Sequence, residues 1–404
     1  MRIVKFIETT DGGTVNPVKT FQAHIQVDDL IIFDLDFQLR IRDPKTSVEV
    51  YSQHIRQQGV DIIWLPRGGY LITVGLNDLL LPAGQYKFDL LAWSNANGRP
   101  VLHDEANIDG ELRKPRDDPG ISQAQWRIKS CDKNCDIGEL SWNKQHSDWF
   151  FRHFDHASRV IVHMLLDDSP KLRGKILDVG CGDGIIDLAV YLRCQPELLV
   201  GIDPFKGYER LPEIIAANHL PKEVLDDTGL QFRAEDGNCI PYPDSFFDVV
   251  LSWGSLEHIA GGYRKTLEEI QRVLKPDGLF FVHPGLFYGP AGNHLGEFFD
   301  DPFIHLKIPP EELQQRILNA PPQLMDRAGY TASVEQYWQW YTELNPISVD
   351  GFEKELRAMG FEPWRIAVRN TDLVEYTPAL QKYSFTDLAT SELYLSAINK
   401  KAGQ

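Results

Sequence analysis

The run Leu177-Asp178-Val179-Gly180-Cys181-Gly182-Asp183-Gly184 constrains this chain more than any other eight residues in it. An apolar stretch, Lys175–Val179, leads into three glycines at alternate positions, and helical patterning resumes at Ile185–Leu192. A strand that turns through glycines into a helix brings bare backbone close to a ligand at the carboxyl end of the strand. The following elements repeat the rhythm. Leu198–Ile202, Leu230–Arg233, Asp248–Trp253 and Leu279–Val282 read as short buried strands. Tyr263–Leu274 reads as an amphipathic helix, stopped by Lys275-Pro276-Asp277-Gly278. Strands alternating with helices point to a doubly wound, mostly parallel sheet. Helical patterns return at 310–318, 333–343 and 350–359, and Trp364–Val368 and Leu393–Ile398 are expected to close the sheet as an antiparallel edge pair.

The residues around the glycines restrict the ligand. A dinucleotide site has G-x-G-x-x-G spacing, whereas this loop is G-x-G-x-G, with Ile185 following. Asp178 and Asp183 flank it, and two carboxylates at short range repel a diphosphate. An ammonium group is welcome there. Asp203 ends the second strand, where an acid takes the two hydroxyls of a ribose, and Glu235-Asp236 follows the third, placed to accept from an adenine amino group. Acids at three successive strand ends describe a ligand with ammonium, ribose and adenine.

The set LDVGCGDG, VGID, AEDGNCIPYPDSFFDVVLSWGSLEHI and EIQRVLKPDG resembles, in order and spacing, the class I S-adenosylmethionine (SAM)-dependent methyltransferases. The resemblance covers about Lys175 to His283 and implies a Rossmann-like α/β sheet with SAM as cofactor. It implies that Asp178, Gly180, Cys181 and Gly182 hold the methionine part, that Asp203 binds ribose, that Glu235 and Asp236 face adenine, and that Trp253 lies beside the cofactor. Phe247 and Asp248 read as structural, and Cys181 as a small residue rather than a reactive thiol.

Transfer to a hydroxyl needs an aligned acceptor and a route for its proton, and histidine is the usual base near neutrality. His258 follows the fourth strand and His283 ends the fifth, while His294 and His305 lie in the aromatic, Gly- and Pro-rich stretch 283–310. That stretch resembles insertions in bacterial methyltransferases associated with surface-glycan synthesis, which makes His294 and His305 catalytic candidates, with His258 close behind for its place just beyond the fourth strand. A metal held by His294, His305 and Asp300 or Asp301 is not expected, because the spacing is not compact. Cys131 and Cys135 lack a second ligand pair and read as ordinary thiols.

Residues 1–130 read differently. Phe33–Ile41 alternates strictly, Gln85–Leu90 follows the turn Pro82-Ala83-Gly84, and Asn95-Ala96-Asn97-Gly98 marks a hairpin loop before Val101-Leu102. Further strands are expected at Val4–Glu8, Lys19–Val27, Val48–Ser52 and Tyr70–Leu76, together an all-β sandwich. The strand and turn around Leu79–Tyr86 loosely resemble the carbohydrate-binding module of O-antigen ABC-transporter ATPases, which implies a glycan or glycolipid acceptor. Trp64, Tyr70, Tyr86 and Trp93 are candidate sugar-stacking rings, with core packing as the rival reading and dimerisation as a rival role for the domain. Residues 131–145 read as a linker, 146–404 as the catalytic domain, and 284–360 as its acceptor-side insertion. A helix is expected from His146 to Asp168, with Phe150, Phe151, Phe154, Val160, Ile161 and Leu165 on one face.

The 404-residue chain carries a formal charge of −17 with 25% charged and 43% hydrophobic residues. That balance suits a globular protein and opposes binding to nucleic acid. Five cysteines do not form a secreted disulfide framework, and no stretch reaches a membrane span, so a cytoplasmic location is expected. The reading that emerges is O-methylation of a sugar hydroxyl on a bacterial surface polysaccharide or its precursor. Alternatives are a small-molecule or lipid acceptor, an NAD(P)-dependent oxidoreductase, and a non-catalytic glycan-binding protein.

Overall fold

In the computed structural model, the alternation that starts at Lys19 does not stop at Val27. It runs on as one 24-residue strand, β2 (Lys19–Arg42), where two separate strands were expected. Phe21, Ala23, Ile25, Val27, Ile31, Leu35, Phe37, Leu39 and Ile41 are all buried, so the odd positions keep one face through the charged break at Asp28-Asp29. The structure describes residues 1–10, 19–58, 62–76, 84–96, 99–112, 124–131, 135–136, 149–165, 169–218, 220, 222–296, 298–320 and 332–400. The turn at Pro82-Ala83, the hairpin tip Asn97-Gly98 and most of the linker lie outside them.

The chain divides into two compact units, Met1–Gln145 with Ile215–Asp226, and His146–Ile214 with Asp227–Gln404. In the first, β2 pairs antiparallel with β1 (Arg2–Thr10), β3 (Glu49–His54), β4 (Ile62–Leu76) and β5 (Gly84–Ala96). β6 (Arg99–Leu112) extends the sheet beyond β5, and β7 (Ala124–Ser130) and β8 (Cys135–Asp136) extend it beyond β4. Hydrogen bonding is thus continuous through one all-antiparallel sheet, but that sheet is folded over. Phe88 lies opposite Ile41, yet its ring centroid is 4.7 Å from that of Phe21, twenty positions back along β2. A straight strand would separate those two β2 positions by about 65 Å. The bend falls between Val27 and Leu35, where the β4 register shifts and Asp34 takes φ 52°.

The fold-over buries Trp64, Tyr70 and Tyr86, which removes three of the four candidate stacking rings. Trp93 is half-buried and donates its indole N–H to Gln38 at 3.2 Å. Asp89 is fully buried between β2 and β5, where it accepts from Arg42 at 2.5 and 2.7 Å and from Arg40 at 3.2 Å.

The second unit begins with a helical segment, Trp149–Phe151, that passes through a π turn at Arg152–Ala157 and continues over Ser158–Met164. Phe150, Phe151, Phe154, Ile161 and Leu165 are buried along it, as expected, and Val160 is half-buried. The strands β9 (Lys175–Val179), β10 (Leu198–Ile202), β11 (Leu230–Arg233), β12 (Phe247–Trp253), β13 (Leu274–His283), β14 (Phe361–Asn370) and β15 (Thr390–Asn399) form one sheet in the order β11-β10-β9-β12-β13-β15-β14. The first five are parallel, and β15 runs antiparallel to both β13 and β14. This is the doubly wound sheet with an antiparallel edge pair. β13 starts earlier than expected, because Leu274 already pairs with Phe247 before Lys275-Pro276-Asp277-Gly278 bulge out and Leu279 rejoins opposite Val249. Asp248 accepts from the Lys175 backbone at 2.9 Å and from the Lys275 ammonium at 2.7 Å, so its role is to tie β12 to the start of β9. Chain order reverses between β9 and β12, and ligands of open α/β sheets bind beyond the strand ends at such a point. No helix among the described residues is long and apolar enough to cross a membrane.

Removing the Asp89 carboxylate takes away the buried counter-ion of Arg40 and Arg42 and leaves them only the more exposed Glu105, 3.0 and 3.6 Å away. Asp89→Ala should destabilise the N-terminal unit by about 3 kcal/mol or more. The check is a urea melt followed by tryptophan fluorescence, in which the variant should unfold at clearly lower denaturant.

Candidate active site

A cleft of about 1120 Å³ opens at the carboxyl ends of the parallel strands. β9, β10, β12 and β13 and the loop after β11 supply parts of its wall, and all lining residues belong to the second unit.

The glycine loop is shaped by two different needs. Gly180 has φ 82°, and a Cβ there would come within 2.3 Å of the Ser255 side chain. The close approach is used, because the Ser255 hydroxyl lies 2.8 Å from the Gly180 carbonyl and joins the loop after β9 to the loop after β12. Gly182 has φ 53° with open space where its Cβ would point, so only the backbone conformation demands glycine. Its N–H donates to Asp203 at 3.1 Å. The other Asp203 oxygen accepts from the Phe205 N–H at 2.8 Å, so the acid expected to take ribose also braces two loops. Cys181 is buried, with its thiol pKa pushed up by that burial, and Gly201 leaves it room: a Cβ on Gly201 would lie 2.8 Å from the Cys181 Cβ. The thiol is thereby kept protonated and unreactive.

Asp178 lies at the tip of β9, opposite Gly201 on one side and Leu251 on the other. It is 2% exposed, and its Oδ1 has no hydrogen-bond partner. Beside it, Asp187 in the first turn of the helix Ile185–Cys194 is fully buried, with neither oxygen partnered. Burial, then their mutual repulsion, pushes the Asp187 pKa well above the carboxylate range, and burial raises Asp178 to about 7. A buried acid pair with an unpartnered Asp178 Oδ1 can take a cationic group brought in by a ligand, and it does not fit a diphosphate. Asp183 contributes less to that repulsion than the sequence implies, because Arg210 stands 4.0 Å from it.

Glu235 is half-buried and Asp236 exposed on the loop after β11. One Asp236 oxygen caps its own turn by accepting from Asn238 N–H at 2.8 Å. The loop is held from behind: Glu269 accepts from the Ile240 N–H, and Arg272 donates to the Ile240 and Tyr242 carbonyls. The cleft also takes in Phe205, 88% exposed and directly after the acid of β10, which the sequence reading missed. An apolar residue left bare in a loop beside a strand-end acid was the available signal.

Trp253 ends β12 and lines the cleft with its ring 4.5 Å from that of His283. His283 donates from Nδ1 to the Leu393 carbonyl at 2.9 Å and stacks on Tyr394 at 4.5 Å. Burial lowers its pKa, so the ring stays neutral with Nε2 as its acceptor nitrogen.

The structure brings His258 and His294 together, with ring centroids 4.9 Å apart in the cleft wall. Glu257 joins them, 2% exposed, and sequence reasoning missed it because its partner is far away in the chain. His305 does not line this cleft. It is buried in edge-on contact with the ring of Phe287, donating from Nε2 to the Phe287 carbonyl at 2.9 Å, and burial lowers its pKa to about 4. Asp301 is likewise engaged, by the Lys307 ammonium at 2.8 Å.

Residues 177–282 match the family model described as "Methyltransferase domain". This stretch has the glycine loop, the strand-end acids and the sheet order of a class I SAM-dependent methyltransferase. The chain is 29% identical over 124 residues to the uncharacterized methyltransferase YcgJ of Bacillus subtilis, covering 31% of this chain and 45% of that protein. It is 29% identical over 172 residues to the 27-O-demethylrifamycin SV methyltransferase of Amycolatopsis mediterranei, covering 41% of this chain and 60% of that one. The chain spans about half the length of such curated relatives. The crystal structure of YcgJ superposes with a TM-score of 0.33 at 14% identity, covering 61% of this chain and 99% of that one.

Two predictions follow from the buried groups. A carboxyl with a raised pKa costs stability once pH climbs above its unfolded value, so Asp178→Asn should melt higher than the wild type at pH 8 without ligand. The gap should close near pH 4, and SAM affinity by calorimetry should fall at least about tenfold. His305 behaves oppositely. Its lowered pKa means stability is full above the ordinary histidine range and is lost as pH falls towards 4. Between pH 7.5 and 5 the wild type should lose about 2 kcal/mol more than His305→Gln in urea unfolding.

Proposed function

We propose that this protein is a SAM-dependent methyltransferase that O-methylates a sugar hydroxyl of a bacterial surface polysaccharide or its precursor. The observation that carries the methyl-transfer reading is the buried Asp178 carboxyl, its Oδ1 without a partner, beside the glycine loop of a methyltransferase-type sheet. Bound SAM supplies a methyl group activated by its sulfonium. Asp178 and the backbone at Gly180–Gly182 receive the amino-acid end, Asp203 the ribose hydroxyls, and Asp236 with the loop steadied by Arg272 the adenine edge. Phe205 and Trp253 exclude water with apolar surface. His258 and His294, which line the cleft, orient the acceptor hydroxyl in this reading.

The glycan acceptor rests on the character of the far wall. Trp340 of the helix Val334–Glu343 lines the cleft beside Gln336, Gln339 and Glu343, a flat, half-buried ring among hydrogen-bonding groups suited to a sugar. A second reading is favoured by the N-terminal unit, whose Trp64, Tyr70 and Tyr86 are buried and present no stacking platform. In that reading the acceptor is a small hydroxylated molecule, as the name of the rifamycin-modifying relative says of that protein, and the β unit serves in self-association.

Calorimetry with SAM, NAD and NADP separates methyl transfer from redox chemistry. SAM alone should bind, and binding of NAD in its place would overturn the assignment. Transfer of labelled methyl to a purified surface-polysaccharide fraction, compared with small aromatic and aliphatic alcohols, decides the acceptor. His258→Ala should lower kcat about a hundredfold while leaving SAM affinity near that of the wild type.

A further inference from the structure

We propose that Glu257, His258 and His294 form a site for one divalent transition-metal ion at the acceptor end of the cleft. One ligand atom from each lies within 4.8 Å of the other two. Glu257 and His258 come from the turn Leu256–His258 after β12, and His294 comes from the loop after β13. These are not the residues that spacing alone brought forward, since His305 is bonded to Phe287 and Asp301 to Lys307.

The second observation is the state of Glu257. Its side chain is buried, and Oε2 has no hydrogen-bond donor. A buried carboxylate is unfavourable unless a cation or donors compensate it. Room has been kept for it: a Cβ on Gly285 would lie 2.5 Å from Glu257 Oε1. The third ligand is also held with care. His294 has φ 57°, a conformation an L-residue rarely takes, and the buried Asn293 beside it clamps the loop. Asn293 donates to the carbonyls of Gly289 and Pro302 at 3.2 and 3.0 Å and accepts from Leu295 N–H at 3.0 Å. Strain kept in place at a cleft wall, aiming an imidazole at a buried carboxylate, is the arrangement a metal ligand needs.

Two imidazoles and one carboxylate suit Mn²⁺, Fe²⁺ or Zn²⁺ and leave coordination positions open. All three residues line the cleft, so the open positions face acceptor space. The ion's role in catalysis rests on the methyl-transfer reading; its binding does not. An acceptor hydroxyl drawn to the ion loses its proton to water. Its oxygen forms the new bond to the methyl carbon, the carbon–sulfur bond breaks, and that electron pair stays on sulfur as the neutral thioether. In this assignment His258 and His294 act as ligands and not as bases.

The test uses the full chain stripped with EDTA and titrated with MnCl₂ alone, followed by electron paramagnetic resonance. One Mn²⁺ per chain should bind. Glu257→Gln and His294→Ala should each weaken it by about tenfold or more, with SAM affinity by calorimetry retained as evidence of folding. No Mn²⁺ or Zn²⁺ binding at millimolar metal, or undiminished binding by Glu257→Gln, overturns the site. Methyl transfer should be lost on chelation and restored by Mn²⁺. Turnover insensitive to EDTA while SAM binds normally overturns the ion's catalytic role. Metal binding without SAM binding upholds the site and sinks the methyltransferase reading instead.

Discussion

A buried carboxyl group with one oxygen left unpartnered, near the end of β9, is the constraint around which the second unit is organised. Asp178 sits where two parallel ladders meet, with β10 on one side and β12 on the other, so neither neighbour strand leaves a side-chain donor for it. Parallel sheets covered on both faces are built from apolar runs, and four of the five residues of β9 are buried. An acid in such a run is costly unless something else neutralises it. Asp187 adds a second acid rather than a counter-charge: burial raises both pKa values, and the neighbouring Asp178 charge raises that of Asp187 further. The glycine loop, the Asp203 brace and the Ser255 bond hold the surrounding backbone in the shape that admits a cation.

Much of this sheet was legible because each parallel strand is a short apolar run bounded by Gly, Asp or Pro. β9, β10 and β11 start and stop where the sequence pattern says they do. β13 was not, since Lys275-Pro276-Asp277-Gly278 has turn chemistry and is nevertheless bulged within a strand whose pairing begins at Leu274. In the N-terminal unit the alternation was visible, but as two strands, Lys19–Val27 and Phe33–Ile41, with the charged Asp28-Asp29 between them. The buried positions on either side, Val27 and Ile31, have the same parity, and parity is what allows a single strand to continue through a bend with its inner face unchanged. Nothing local in the sequence shows that Phe21 will meet Phe88, because that contact depends on the whole strand doubling over.

The candidate site divides in the same way. The acids at strand ends could be located because their position relative to a strand is a local property. Glu257 could not be. It is an ordinary residue in a loop until His294, thirty-seven positions along the chain, arrives beside it after two further loops have folded. His305, close in sequence to His294, was attractive for its company of aromatic and Gly-rich residues, and those same aromatic residues bury it against Phe287.

The distribution of charge along the cleft bears on rate as well as binding. In methyl transfer from a sulfonium to an oxygen that has lost its proton, opposite charges disappear as the bond forms. A carboxylate pressed against the sulfonium would stabilise the starting state and slow the step. The strand-end acids are partly tied to their own surroundings: Asp178 is buried with Asp187, Asp203 holds two backbone N–H groups, and Asp236 caps its own turn. The wall formed by Trp253 and His283, backed by Tyr394, carries no charge, since burial lowers the His283 pKa and raises that of Tyr394. A ring face attracts a cation without the full pull of an anion, so it orients a sulfonium and surrenders little when the charge is lost. In the proposed reaction the acids assigned to the nucleoside and the neutral rings of Trp253 and His283 are different residues of the cleft, so recognition and a low-charge border can be set separately.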